Sequence, residues 1–331
     1  MSILWCGGED LDFPTGPQYI STNSSYRRSD YCRCALDTNV NPAGLVYRSK
    51  TFPGGAVTSF WLSVQFWHTG TATSPGRKIG LGKASSINKG FFVGIDTASN
   101  LKLAIYKFDG STETKIATTA DVVLESNSLT KIDVHVTSYG ASAAVAVYVN
   151  GESSPCLEYS GNISVSGVTD LDCCMMFSTW NTAVLVSEII IADEDTRTFS
   201  LASLYPESAG SLNEWENEYT EIDEASLNDA DTIYTDTAEL EFNCNLAALP
   251  SGNFSVVAVK VSARACKTAD ATAGALAIGV LTLGELSVGD NETMTTAWDN
   301  YENLMQENPI SSEVWTPTEM NQLQFAAVSK S

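Results

Sequence analysis

The chain has 331 residues, of which 44% are hydrophobic and only 18% are charged. This length suits about two domains that each bury a core, and the composition argues against disorder, which needs low hydrophobicity. The formal net charge of −22 argues against nucleic acid as a partner, because phosphates require clustered Lys and Arg, and it disfavours adhesion to anionic membranes.

The chain begins MSILWCGG, without the basic and apolar regions of a signal peptide. Its apolar runs are interrupted and too short to span a bilayer. We therefore expect synthesis and first folding in a cytoplasm.

Residues 1–205 contain many short runs typical of strands, with turns between them. Residues 58–67 alternate strictly, so that two tryptophans and two polar side chains share the face opposite the apolar residues. The side chains on that face are Trp61, Ser63, Gln65 and Trp67.

Two further runs, 131–136 and 145–149, alternate in the same way, and the second leads into Asn150-Gly151. This dipeptide predicts a hairpin, because a type I′ turn needs positive φ at both central residues. Runs at 174–177 and 184–192 follow. Closely spaced strands of this kind predict a sandwich or jelly roll over residues 1–205.

A change in composition marks a second domain over residues 206–331. Residues 198–259 contain no Lys or Arg, and twelve acidic residues lie between 207 and 241. Runs at 254–264, 275–283 and 323–328 predict strands. Thr316-Pro-Thr-Glu319 is a capping box with Pro at the first helical position, which predicts a helical turn over 317–323.

Residues 134–204 resemble laminin-G/concanavalin-A-like jelly-roll domains, in the 148–151 hairpin, the 187–192 strand and the segment from Asp195 to Leu204. Residues 4–13 and 314–325 resemble virion proteins of tailed bacteriophages. Residues 326–330 depart from the Gly-Val-Lys-like strand that many of those proteins have. The resemblance implies an all-β chain, with an N-terminal concanavalin-A-like jelly roll and a smaller C-terminal β-sandwich that contains one short helix. It also implies a non-enzymatic structural part of a phage particle.

Two surfaces are candidates for contact with a ligand or partner. Trp61 and Trp67, beside Gln65 and His68, could form a platform for a glycan or a contact face for another domain or subunit. Six acidic residues form a candidate docking segment: Glu214, Glu216, Glu218, Glu221, Asp223 and Glu224. A solvated face is the alternative for such a run.

Catalytic motifs are missing from the sequence. The only histidines are His68 and His135, and neither lies in a nucleophile motif. No short motif selects a carboxylate pair for glycoside hydrolysis, and no nucleotide-binding fingerprint is present. We therefore expect no catalytic residues and no cofactor.

Metal sites and disulfides are left open by the sequence. Calcium could meet the oxygens of residues 9–12 or 228–231, although both clusters are also typical of turns. The eight cysteines are expected to be thiols in a cytosolic chain, and Cys6 with Cys32 or Cys34 is the first candidate for a disulfide.

The leading hypothesis is a structural component of a bacteriophage virion, placed in the tail or tail tip, with capsid decoration second. It would assemble through protein contacts, as a trimer or ring, and bind neither nucleic acid nor membrane. The alternative is a lectin-like adhesin that binds host-surface glycans through exposed Trp61 and Trp67. A depolymerising enzyme is the third hypothesis.

Overall fold

A computed structural model describes residues 2–8, 12–13, 20–21, 23–24, 27–28, 31–32, 35–38, 46–68, 76–86, 88–96, 101–177, 184–224, 228–269 and 271–331. The chain divides into two compact units, Met1–Leu201 and Ala202–Ser331. The described residues form antiparallel strands and one four-residue α-helix, which confirms the predicted all-β class. Within that described part, no helix has the length and apolar character needed to cross a membrane.

The first unit contains fourteen strands among its described residues. They are β1 (Ile3–Gly7), β2 (Ile20–Ser21), β3 (Ala35–Asp37), β4 (Val46–Arg48), β5 (Phe60–His68), β6 (Gly76–Gly82), β7 (Lys89–Ile95), β8 (Leu103–Asp109), β9 (Glu113–Thr118), β10 (Leu129–Val136), β11 (Ala143–Val149), β12 (Leu157–Gly161), β13 (Cys173–Phe177) and β14 (Val184–Ala192).

These strands form two sheets that enclose one core. The first sheet has the order β12-β11-β10-β5-β14-β3-β2, with β1 also paired to β14, and the second has the order β4-β13-β6-β7-β8-β9. Apolar side chains from both sheets meet between them, as where Phe60 and Phe91 pack edge to face at 6.4 Å between ring centroids. This arrangement is the predicted jelly-roll sandwich.

The second unit contains eight further strands and the helix. They are β15 (Pro206–Asn213), β16 (Glu241–Leu246), β17 (Val259–Ala265), β18 (Ala275–Thr282), β19 (Glu285–Val288), β20 (Glu292–Thr293), β21 (Asp299–Met305), α1 (Pro317–Met320) and β22 (Gln324–Lys330). One sheet has the order β15-β16-β22-β18-β19, with β20 also on β18, and the other pairs β17 with β21. Side chains such as Val261, Val280 and Trp315 fill the core between these two sheets.

The predicted turn at residues 150–151 and the predicted helix cap at Thr316 are both present. Asn150 and Gly151 have φ of 52° and 74°, as a type I′ turn requires. Strand pairing after this turn resumes at Leu157, which lies opposite Val147. The capping box forms, since the Glu319 amide donates to Thr316 Oγ1 at 3.2 Å. The helix ends at Met320, three residues before the predicted end.

The prediction of a strand over 254–264 is wrong in its first half. Only β17 is a strand there, and it pairs solely with β21, from Val259 opposite Met305 to Ala265 opposite Asp299. Because β21 ends at Met305, the residues before Val259 have no strand opposite them. Phe254 remains 37% exposed.

Candidate functional site

The predicted tryptophan face of β5 exists, but it is covered within the first unit. Trp61 is 8% exposed, Trp67 6%, Gln65 7% and His68 1%. The expectation of an exposed aromatic pair is therefore wrong, and these side chains offer no open platform on which a sugar could stack.

Trp61 is covered by neighbouring rings and by one arginine. Its indole stacks on the His135 imidazole, with ring centroids 4.3 Å apart, and on Tyr148 at 5.7 Å. The Arg197 guanidinium lies 4.6 Å from the Tyr148 centroid and 5.7 Å from that of Trp61, within cation–π range. Burial lowers the pKa of His135, and the carboxylate of Asp195 opposes this shift.

Arg197 belongs to a loop, residues 193–199, that we call the strap. Lys131 Nζ donates to the carbonyl oxygens of Thr196, Arg197 and Phe199 at 2.8, 2.8 and 2.9 Å. The Thr196 hydroxyl donates to Asp133 Oδ1 at 2.8 Å, and Asp133 is fully buried. These bonds hold the strap over the aromatic rings.

Two of the other three candidates on β5, Trp67 and His68, have different environments. Trp67 packs in a small cluster with Ala35 and Leu185. His68 lies on the same face of β5 as Phe66, the core side of the sheet, because side chains alternate along a strand. Burial lowers the pKa of His68, and the charge of Lys78 on the facing sheet lowers it further. The structure thus separates His68 from the tryptophan face.

The acidic docking segment lies at the surface of the second unit. Glu214, Glu216, Glu218 and Glu224 are exposed. The segment is anchored by Trp215, whose indole N–H donates to the Leu240 carbonyl at 3.0 Å. Glu221 and Asp223 are half-buried, and docking of this segment on a basic partner stays a prediction.

A groove that the sequence did not predict crosses the first sheet of the second unit. Its volume is about 700 Å3. Residues from four strands and two turns form its walls: Ser211, Leu212, Glu241, Asn243, Leu281, Thr282, Leu283, Gly284, Gln322 and Gln324. The groove therefore has polar side chains on neighbouring strands and exposed leucines, Leu212 and Leu283, at its rim.

Side-chain amides lie in a row on the sheet at this groove, and we call this row the amide ladder; two of its members, Asn243 and Gln324, line the groove. The ladder contains Asn243, Asn245 and Gln324, which are brought together by the pairing of β16 with β22, where Asn245 lies opposite Gln324. Gln324 Nε2 donates to Asn245 Oδ1 at 2.9 Å, and Asn243 Nδ2 donates to Glu241 Oε1 at 2.9 Å.

The amide ladder also fixes the edge strand β15. Gln324 Oε1 accepts from the Ser211 amide and hydroxyl, both at 3.1 Å, and Asn243 Oδ1 accepts from the Leu212 amide at 2.8 Å. These bonds hold the amide groups in one orientation. Because both amide oxygens are occupied and Asn243 is only 1% exposed, the second NH2 hydrogen of Gln324 is the donor that the ladder offers to a ligand, and its fixed orientation lowers the cost of binding.

Other chemistry receives no support from the described residues. No group of three or more His, Cys, Asp or Glu side chains among them is arranged to hold a metal ion. Asp12 accepts from the Gly8 amide at 2.8 Å, and Asp229 pairs with Arg264 at 2.8 Å, whereas residues 9–11 lie outside the described part.

Among the described cysteines, Cys173 and Cys244 have raised thiol pKa values, the opposite of a reactive thiol. Burial raises the pKa of Cys173 and of Cys244 to about 12, so both stay protonated at neutral pH. No disulfide joins Cys6 to Cys32, and the Cys32 thiol donates to the Arg28 carbonyl. Cys34 lies outside the described residues, so its pairing stays a prediction.

No protein-family model matches this chain, and no curated protein matches it. Solved structures that match include the globular domain of T. cruzi calreticulin, with 12% identity, 59% of this chain and 90% of that chain covered, and a TM-score of 0.39. The exoplasmic/lumenal domain of VIP36, in its Ca2+/Man3GlcNAc-bound form, matches with 10% identity, coverages of 56% and 87%, and a TM-score of 0.37. The SAP-like pentraxin of Limulus polyphemus matches with 16% identity, coverages of 47% and 73%, and a TM-score of 0.35.

Proposed function

We propose that this chain is a non-enzymatic carbohydrate-binding protein and that the groove of the second unit is its binding site. The observation that carries the proposal is the amide ladder at a groove of about 700 Å3, a volume within the usual range of ligand sites. The aromatic face of β5 has no part in it, because Trp61 and Trp67 are covered.

The chemistry of the groove matches that of sugar hydroxyls. A hydroxyl both donates and accepts hydrogen bonds, and a carboxamide does the same with its NH2 and its oxygen. Gln322 is exposed, and Gln324 uses one NH2 hydrogen on Asn245, which leaves donors for a ligand. The leucines at the rim offer apolar surface to the C–H faces of a sugar ring.

Binding without turnover is the activity that this lining supports. Of the residues that line the groove, only Glu241 ionises. Canonical glycosidases flank the scissile bond with two carboxyl groups, roughly 5–10 Å apart. We therefore expect sugars to leave the groove chemically unchanged.

The test is binding to an array of neutral oligosaccharides, followed by calorimetry on the sugars that bind. Gln322→Ala and Gln324→Ala should each weaken binding about tenfold, as expected for the loss of one or two hydrogen bonds to a ligand. Asn291→Ala removes an exposed amide outside the groove and should leave binding unchanged. Since Gln322 is not part of the ladder, its variant remains informative if Gln324→Ala unfolds.

Failure of every array sugar to bind would contradict the proposal. So would full binding by the Gln322→Ala and Gln324→Ala variants. Release of shorter sugars during incubation would contradict the non-enzymatic part alone.

A structural role in a bacteriophage virion is the second candidate. It rests on the resemblance of residues 4–13 and 314–325 to virion proteins, and the acidic docking segment supports it as a surface for a basic partner. In this proposal the chain lies in the tail, and a glycan bound in the groove belongs to the host surface. Oligomerisation as a trimer or ring remains part of the same proposal.

A further inference from the structure

Charge is unevenly distributed between the two units, and the groove lies in the more acidic one. Residues 202–331 include 21 acidic and 4 basic residues, so they carry −17 of the net −22. Three of the four basic side chains pair with acidic ones: Lys260 with Glu302, Arg264 with Asp229, and Lys330 with Glu239. A ligand that enters the groove therefore meets a negative field.

The lining of the groove also has an acidic side chain and no basic one. No Lys or Arg lines it, and Glu241 contributes a carboxylate to its wall. A second carboxylate lies outside the groove lining and binds the backbone behind Glu241, since Glu214 Oε2 accepts from the Glu241 amide at 2.9 Å. The Asn243 amide occupies only Oε1 of Glu241, and the remaining lone pairs of that carboxylate can accept from a ligand.

We propose that the groove selects uncharged glycans and rejects anionic ones, an inference that rests on the proposed function. The Glu241 carboxylate accepts two hydroxyls of a neutral sugar through charge-assisted hydrogen bonds, which are the stronger kind. Gln322 and Gln324 donate to ring or hydroxyl oxygens. A uronic, sialic or sulfated sugar would place its negative charge beside Glu241, and no Lys or Arg lines the groove to neutralise it.

Matched sugar pairs test this selectivity. Each neutral oligosaccharide is compared by calorimetry with the oligosaccharide of the same configuration that carries a carboxylate at C6, as for galactotriose and trigalacturonate. We expect the neutral member to bind at least tenfold more tightly at 0.15 M NaCl. The ratio of the neutral sugar's affinity to the uronate's affinity should fall as the salt concentration rises, because salt screens the repulsion between the uronate and the acidic side chains.

The variant Glu241→Gln identifies the residue responsible. It should weaken binding of the neutral sugar about tenfold and binding of the uronate by a smaller factor. The ratio of the two affinities should therefore fall. Glu313→Gln removes one exposed charge of the same unit outside the groove lining and should leave the ratio nearly unchanged.

The outcomes separate this inference from the proposed function. Neutral sugars that bind the groove together with uronates of equal or greater affinity would overturn the selectivity alone. An unchanged ratio in Glu241→Gln would overturn the role of that residue. If no member of any pair binds, both the proposed function and this inference are overturned.

Discussion

Lys78 is a fully buried lysine in the first unit. It lies at a bulge in β6, between Arg77 and Ile79. Burial lowers the pKa of its ammonium group from 10.5 to about 7, and the nearby charge of Glu113 only partly opposes this. Between those two pH values the unfolded chain holds more protons than the folded one, so Lys78 makes stability rise with pH.

Replacing Lys78 with methionine should remove this dependence. Between pH 7 and 8.5 the free energy of unfolding of Lys78→Met should rise less steeply than that of the wild type, by up to about 1.4 kcal/mol per pH unit. Urea unfolding at a series of pH values measures both slopes. Lys107→Met serves as a partly exposed control, and equal slopes in Lys78→Met and the wild type would show that Lys78 does not titrate in this range.

At the residue scale, the sequence predicted which face of β5 a side chain lies on, but it did not predict whether that side chain is exposed. The alternation along 58–67 correctly separated Trp61 and Trp67 from the apolar face. Their burial depends on residues far away in the chain, such as Arg197 over Trp61, and local periodicity contains no such information. The amide ladder was missed for the same reason, since Asn243 and Gln324 become neighbours only through strand pairing.

At the element scale, Lys131 makes three of the hydrogen bonds that hold the strap. Lys131→Met removes three hydrogen bonds from the ammonium group to strap carbonyls. Because hydrogen bonds to charged groups are among the stronger ones, we expect a loss of about 2–3 kcal/mol in unfolding free energy. Hydrogen exchange in peptides covering 193–199 should become faster.

The matched control for the strap is Lys115→Met. Lys115 is a half-exposed lysine of the same unit that pairs with Asp96, and surface ion pairs contribute little. It should leave strap exchange unchanged. Wild-type exchange rates in Lys131→Met would contradict the role assigned to Lys131.

The capping box gives a second test at this scale. Thr316→Ala removes the acceptor for the Glu319 amide and should cost about 1 kcal/mol, as N-cap substitutions do. Thr318→Ala, at an exposed position of the same helix, should cost much less. Urea unfolding compares them, and equal losses would argue against the cap as the cause.

Turns and caps were predicted well because a few adjacent residues determine them. The Asn150-Gly151 turn and the Thr316–Glu319 box both depend on interactions within four residues. The ends of β17 could not be predicted in this way, because they depend on where the partner β21 ends.

At the scale of the whole molecule, we expect the negative net charge to lower the stability of the second unit. A unit with 21 acidic and 4 basic residues repels itself when folded. We expect the unfolding temperature of the second unit to rise between 0.01 and 0.3 M NaCl, as the screening length shortens. Calorimetry measures it, and a decrease would show that attractive ion pairs outweigh the repulsion.

Charge also gives the test of the virion proposal. A docking segment that uses Glu214, Glu216 and Glu218 should hold the chain on particles at low salt and release it at high salt. Mass spectrometry of purified phage particles, washed at each salt concentration, measures retention. Absence of the chain from the particles would contradict the virion proposal and leave carbohydrate binding unaffected.

The central claim is that a sugar binds on the amide ladder, and side-chain amide NMR tests it most directly. Labelled protein is titrated with a neutral oligosaccharide while the NH2 signals of Asn243, Gln322 and Gln324 are followed. We predict that the Gln322 and Gln324 signals shift with saturation, while the Asn291 signal stays in place. Saturable shifts confined to other residues, or no shifts at all, would contradict the claim.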